Sequence, residues 1–311
     1  MKLHSCCLSI GAALLVLPLK GQAQPSAHYC PGVEGIKGAS LPPPGIYLRD
    51  YNVAYYSDQL NDPNGNSIGG LNTRAFVYAN VPRVIWITDY QVLGGYLGVD
   101  GFVPMKYTSL RLGGFDDRTF GIGDAFAEGT WDKHWKQVDV VLGYGVWAPT
   151  GDSSTGSGAN PTRAGLGYWT HMLTAGATWY PDAARKWSVS ALNRYEINME
   201  HDDYTVGRAY TLEWGLSRTI VQNIDAGLAG YYQQKVTSDT GGIPRDRVAG
   251  IGPEISAFFP KCALGVSLRY AYEFMAEGGS VTPANGRLEG HTVTLTITKR
   301  FQETRRAPGD R

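Results

Sequence analysis

The stretch His291-Thr-Val-Thr-Leu-Thr-Ile-Thr-Lys-Arg-Phe301 alternates apolar and hydroxyl side chains almost without interruption. Val293, Leu295, Ile297 and Phe301 fall on one face, and Thr292, Thr294, Thr296 and Thr298 on the other. That is the period-two signature of a strand with two different surroundings. Any half-buried sheet hosts such a strand, but a length of about 10 residues also matches a tilted crossing of a bilayer. Lys299 lies on the apolar face, where it is tolerated only by snorkelling to a membrane interface. The chain end is therefore expected at the periplasmic rim.

The rest of the chain repeats the pattern. Alternation bounded by turn signals predicts twelve strands, at 46–57, 73–88, 93–105, 118–131, 136–148, 166–180, 186–199, 207–219, 222–237, 247–259, 263–276 and 289–301. An even number is the rule for single-chain bacterial outer-membrane barrels. The clearest faces are Val138, Val140, Leu142 and Tyr144; Leu173, Ala175, Ala177 and Trp179; and Leu264, Val266, Leu268, Tyr270, Tyr272 and Phe274. Connections alternate in length. Short ones lie near 89–91, 132–134, 181–184 and 260–261; longer ones, rich in Gly, Asn, Asp and Ser, lie at 58–72, 106–117, 149–165, 238–246 and 277–288. Short periplasmic turns and longer outer loops are the outer-membrane barrel arrangement, with both termini in the periplasm.

Composition and the N-terminus agree with an envelope location. Met1-Lys2, an apolar run from Leu8 to Leu19 and Gly21-Gln22-Ala23 read as a signal peptide over 1–23, with the mature chain starting at Gln24. A lipoprotein reading is set aside, because Cys6 and Cys7 precede the apolar run and Cys30 follows it without a small-residue motif. Beyond the leader no run approaches the roughly 20 apolar residues of a transmembrane helix, so any crossing is made by strands. Removing Lys2 and Lys20 leaves 28 − 2 = 26 basic against 28 acidic residues, and nucleic acid is not an expected partner. Two cysteines remain, Cys30 and Cys262, which in an oxidising compartment either pair or stay as small residues. Trp86, Trp131, Trp135, Trp179 and Trp187 near the short turns, and Tyr55, Tyr144, Tyr168, Tyr195 and Tyr272 towards the long loops, suit two interfacial girdles.

The faces opposite the apolar ones are charged. A lipid-facing Arg or Lys at mid-depth costs about 2–4 kcal/mol, so these faces are expected to line the interior. Asp139, Arg194, Glu196, Glu213, Glu254, Arg269 and Glu273 are the resulting lumen candidates. They form either a selectivity lining or a set of mutually neutralising charges that fills a narrow barrel. Residues 24–45 are too rich in Pro and Gly for regular structure, and Pro42-Pro43-Pro44 is stiff and extended. The segment is either an inward-folded plug or gate at the periplasmic mouth, or a linker into the first strand.

Three blocks together resemble a known family. Gly35-Ile-Lys-Gly-Ala-Ser-Leu-Pro-Pro-Pro-Gly-Ile-Tyr47 precedes the first strand. Phe120-Gly-Ile-Gly-Asp124 leads through Trp131 to Ala148-Pro-Thr-Gly-Asp152, and Arg269-Tyr270 and Glu273-Phe274 precede Glu289-Gly290-His291. In order and spacing they resemble the outer-membrane family named for the meta-pathway of phenol degradation. The resemblance covers essentially the whole mature chain. It implies transport of hydrophobic or aromatic compounds, with members accompanying catabolic genes for aromatics. The tail from Gln302 to Arg311 departs from it, extending past the Phe that such barrels place last for the assembly machinery.

Other motifs were weighed. Asp62-Pro-Asn-Gly-Asn-Ser67 imitates the start of a calcium loop without its later bidentate Glu, and an external turn is expected. The Gly-rich runs at 94–101 and 121–129 open no helix and suit close strand packing. A lipase-like barrel enzyme is a rival class, but none of His28, His134, His171, His201 and His291 stands in a His-x-Ser-Asn arrangement; His171, near the outer loops, is the residue to test. A structural or surface-interaction barrel with a closed lumen is the third class. The sequence thus predicts an all-β, twelve-stranded antiparallel barrel over 46–301 in the outer membrane, preceded by the 24–45 segment and followed by a polar tail, 302–311. It is expected to act as a channel for small hydrophobic or aromatic solutes, with no cofactor, no metal and no catalytic residues. Its expected partners are outer-membrane lipid, those solutes and the barrel assembly machinery.

Overall fold

The computed structural model describes residues 27–152, 161–240, 242, 245–280 and 285–303; the expected leader, 1–23, and the tail beyond Glu303 lie outside them. The chain forms strands β1 (Gly45–Asn61), β2 (Arg74–Val92), β3 (Gly95–Phe102), β4 (Met105–Leu112), β5 (Phe115–Ile122), β6 (Ala125–His134) and β7 (Val138–Ala148). These are followed by β8 (Thr170–Trp179), β9 (Trp187–Asn198), β10 (Ala209–Val221), β11 (Ile224–Lys235), β12 (Arg247–Phe259), β13 (Leu264–Glu277) and β14 (Arg287–Glu303). A 3₁₀ turn, Pro260–Cys262, joins β12 to β13.

All pairings are antiparallel, and β1 pairs with both β14 and β2, which closes the sheet. Closure leaves no long edge of unpaired N–H and C=O groups in hydrocarbon. The fourteen strands make twelve staves, because β3 with β4 and β5 with β6 each form one stave broken in the middle. β2 pairs with β3 from Arg83↔Phe102 and with β4 up to Asn80↔Met105. The break falls at Pro82, Val103-Pro104 and Gly123-Asp124. Neither proline has an N–H for the ladder, and the Gly123 N–H instead reaches the Pro104 carbonyl at 2.7 Å.

Each of the twelve expected strands has its counterpart. The expected loop at 106–117 is corrected: it is the hairpin β4–β5, turning at Gly113-Gly114 with Gly113 at φ +60°. Its residues Lys106 to Arg111 are polar on both faces, so no hydrophobic period betrayed the strand, although the backbone pairs in register. β14 also runs to Glu303, two residues into the expected tail.

The barrel is apolar outside and polar inside. Leu268 is 50% exposed and the adjoining Arg269 5%; Leu216 is 44% exposed and Glu213 3%. In β14, Thr294 and Thr296 are buried while Val293 and Leu295 face out, as the alternation required. Asp50 interrupts the outer face. It alternates with the inward Arg49 and Tyr51, and its oxygens accept the amides of Asn52 (2.9 Å) and Asn80 (2.8 Å), so the carboxylate is hydrogen-bonded where it meets lipid.

Gly45 pairs with Glu303 at the rim that carries the short turns 93–94, 135–137, 180–186, 222–223 and 260–263, so the two described ends share one side. Lys299 donates to the Cys262 carbonyl in the last of these turns, the snorkelling expected of it. Trp86, Trp135, Trp179 and Trp187 face out near this rim, and Tyr144 and Tyr272 near the other. Two expected girdle members do not belong there: Tyr168 is buried, and Tyr55 turns inward to Glu273 at 2.9 Å.

Candidate functional site

The lumen is occupied by the N-terminal segment. The Tyr29 and Ile36 region passes between inward faces of strands on every side, held by carboxylates that accept its backbone N–H groups. Glu196 Oε1 accepts from His28 and Tyr29 (3.0 and 3.1 Å), Glu213 Oε1 from Glu34 (3.3 Å) and Glu254 Oε2 from Ile36 (3.1 Å). A chain without regular structure must satisfy its backbone groups elsewhere, and here the barrel wall supplies the acceptors. Glycine permits the close approach. Gly32 (φ +82°) lies against the Tyr231 ring, and a Cβ on Gly35 (φ +72°) would overlap the Glu254 carboxylate. Between these two glycines and the wall at Glu213, Trp214, Tyr231 and Arg269 there is no room for a water molecule.

Side chains complete the attachment. Tyr29 donates to Glu213 Oε2 at 2.5 Å, Ser40 to Asp139 at 2.8 Å and Lys37 to Asp225 at 2.6 Å. Ala39 and Leu41 pack against Val141 and Leu192. The stem Pro42-Pro43-Pro44 then leads to β1, with the Tyr47 hydroxyl on the Pro43 carbonyl at 2.6 Å.

Glu34 is the hub. Its carboxylate, only 4% exposed, meets Arg83 at 2.8 Å, Arg49 at 3.1 Å and Arg194 at 3.4 Å, and accepts from Tyr51 at 3.1 Å. Arg83 continues to Asp100 (2.8 Å) and Glu128 (3.1 Å), and Arg194 to Glu128 (3.8 Å). Burial by itself would raise the Glu34 pKa, but the guanidiniums of Arg83, Arg49 and Arg194 outweigh it and hold the group at about 2. The carboxylate is thus charged at any physiological pH.

The expected lumen residues all face inward, but they are spread over the wall with different tasks. Glu196, Glu213, Glu254, Asp139 and Arg194 bind the segment; Arg269 pairs with Glu254 at 3.2 Å; Glu273 serves the wall, accepting from Tyr55, Tyr231 and the Gly290 N–H. Sequence reasoning missed Glu34, Arg49, Arg83, Asp100 and Glu128. The last four were detectable, because each is a charge inside a crossing strand and the cost of facing lipid assigns it to the lumen. Glu34 lies outside any strand and carried no such signal. Cys30 and Cys262 are both free thiols here, the unpaired one of the two alternatives. Cys262 sits in a short turn at one rim, while Cys30 lies on the inner segment near Glu213 and Glu273, remote from that turn. His171 stacks on Tyr144 and bonds its hydroxyl at 2.7 Å. Asp62 Oδ1 accepts the N–H groups of Asn64 and Asn66, the capping of an ordinary turn.

Comparison with solved structures finds the same architecture. The COG4313 outer membrane channel from Pseudomonas putida F1 superposes with a TM-score of 0.70 at 12% identity, over 88% of this chain and 100% of that one. The beta domain of the Bordetella autotransporter BrkA gives 0.51 at 14% identity, over 83% and 99%. At such identities the likeness is one of fold, that of outer-membrane barrels. No curated protein matches the chain. A family model described as the putative MetA-pathway of phenol degradation matches residues 57–284, from the end of the first strand to the last loop, and the chain therefore belongs to that family.

Proposed function

We propose that the protein is an outer-membrane channel for uptake of small hydrophobic or aromatic compounds, closed at rest by residues 27–44. The observation that carries this reading is the Glu34 hub: a residue from outside the wall holds three wall arginines together in the middle of the lumen. A purely structural filler has no need of a separate, glycine-jointed segment bound by polar contacts. Polar contacts exchange for water when the segment moves, whereas a fused apolar core would not. Pro42-Pro43-Pro44 serves as the stiff stem on which the segment turns. The similar P. putida protein is itself described as a channel, which supports the reading by analogy of fold. Lipid on the apolar face and the barrel assembly machinery at the terminal strand are the partners this architecture calls for.

Uptake of phenol or toluene into protein-loaded liposomes tests the proposal. Wild type should admit them above the empty-liposome rate, and Glu254→Gln, which weakens the hold on Ile36, should admit them faster. No permeation by either protein under any condition overturns the channel reading.

A further inference from the structure

On the loop side of the inner segment, polar donors without partners gather around His28. The His28 ring stacks on Trp147 (centroids 5.2 Å apart) and meets the edge of Tyr168 (4.8 Å). Both rings are at least nine-tenths buried, yet the Trp147 indole N–H and the Tyr168 hydroxyl have no hydrogen-bond partner among the described residues, and neither has the Arg163 Nε. A buried donor left alone costs about 1–3 kcal/mol, so several in one place ask for a common explanation.

Two cations belong to the same place. Arg163, in the connection before β8, and Lys106, on β4, both act electrostatically on His28 and on each other. Lys106 pairs in register with Gly121, and the chain beside Arg163 packs there, with Asp152 Oδ2 at 2.7 Å and Ala164 Cβ at 3.0 Å from where a Gly121 Cβ would be. Neither cation has an ion pair among the described residues. The nearby acids are already committed: Asp124 gives Oδ1 to the Gly151 N–H and Oδ2 to the Leu166 N–H and His28 Nε2, and Asp152 gives Oδ2 to the Ile122 N–H. Glu196 spends Oε1 on the segment backbone, while its Oε2 is buried without a partner among the described residues and its charge reaches Tyr168. Burial lowers the His28 pKa against the pull of Asp124, so the ring is neutral and adds no charge of its own at pH 7. Phe126 and Phe102 extend the ring cluster beyond Trp147, at 4.6 and 5.3 Å.

We infer that this cluster is a binding site for aromatic carboxylates, with Arg163 and Lys106 on the carboxylate, the Trp147 and Tyr168 donors completing its coordination, and the ring cluster packing the aromatic body. A neutral hydrocarbon would use only the rings. The inference deepens the proposed function by naming a substrate class, and it rests on that reading for its purpose but not for its measurement.

The test is calorimetric titration of the purified full-length barrel with benzoate, benzyl alcohol and toluene. Wild type should bind benzoate about tenfold tighter than either neutral compound, tenfold being 1.4 kcal/mol. Arg163→Gln and Lys106→Gln should each lose about that factor for benzoate and leave toluene unchanged, while Arg163→Lys keeps most of it. Trp147→Phe, which keeps a ring and removes the N–H, should weaken benzoate severalfold and decides the matter if the charge variants do not fold by circular dichroism. Equal binding of benzoate and toluene, or benzoate affinity that survives these substitutions, overturns the inference. If toluene also permeates liposomes in that case, the channel reading stands without it; if nothing permeates while benzoate binds as expected, the site survives and the channel reading fails.

Discussion

Replacing Glu34 by Gln should unlatch the inner segment. The carboxylate titrates at about 2 in place, against an ordinary 4.5. At about 1.36 kcal/mol per pH unit, the difference corresponds to about 3 kcal/mol of preference for the charged group in its docked position. The direction of the linkage follows. A carboxyl whose pKa is depressed in the docked state contributes its full stabilisation above the undocked value of about 4.5, and loses it as pH falls through 4.5 towards 2. Glu34→Gln removes the same contribution at every pH and leaves Arg49 without its only ion pair among the described residues. Arg83 and Arg194 still have Glu128, which keeps the wall itself intact. A change of about 3 kcal/mol is about a hundredfold in an equilibrium constant, so the open fraction of single channels in planar bilayers should rise by about that factor in the variant. Wild type should show a comparable rise on acidification from pH 5 to pH 2.5, and the variant much less. An open fraction for Glu34→Gln indistinguishable from wild type at pH 7, with circular dichroism unchanged, would refute the reasoning that this hub holds the segment.

Three further outcomes follow from the geometry. Gly215→Val should also raise permeation, because a Cβ on Gly215 comes within 2.5 Å of the Ile36 backbone and the segment must give way before the strand does; overpacking of this kind costs about 1–3 kcal/mol, and unchanged solute uptake by liposomes would contradict it. Leu295→Arg, on the lipid face of β14, should destabilise the folded barrel by about 2–4 kcal/mol in denaturant titration in liposomes, whereas Thr294→Ser on the lumen face should stay within about 1 kcal/mol. Oxidation of the purified chain should leave both Cys30 and Cys262 open to maleimide after unfolding, read as a two-label mass shift; protection of both as a pair would contradict their separation.

Several features were legible because the bilayer imposes them residue by residue. The Thr face of β14, the Leu–Arg alternation of β13 and the inward acids of β9 and β10 follow from a period of two and the cost of charge in lipid. The β4–β5 hairpin escaped because it is polar on both faces, and the inward turn of Tyr55 and Tyr168 escaped because an aromatic residue suits either an interface or a packed lumen.

The sequence by itself determined the barrel, its strand number, its inside and outside, and the rim at which it ends. Each of those is a local decision, repeated strand after strand, between lipid and not lipid. Only the tertiary structure decided that residues 27–44 enter the lumen and what holds them there. Ile36 meets Glu254 and Glu34 meets Arg194 across sequence separations of 218 and 160 residues. Closure of the ring creates those meetings. Before it closes, a Pro- and Gly-rich segment and a set of inward charges have no defined distance from one another; afterwards the charges surround a narrow space, and the segment supplies the N–H groups and the carboxylate that satisfy them.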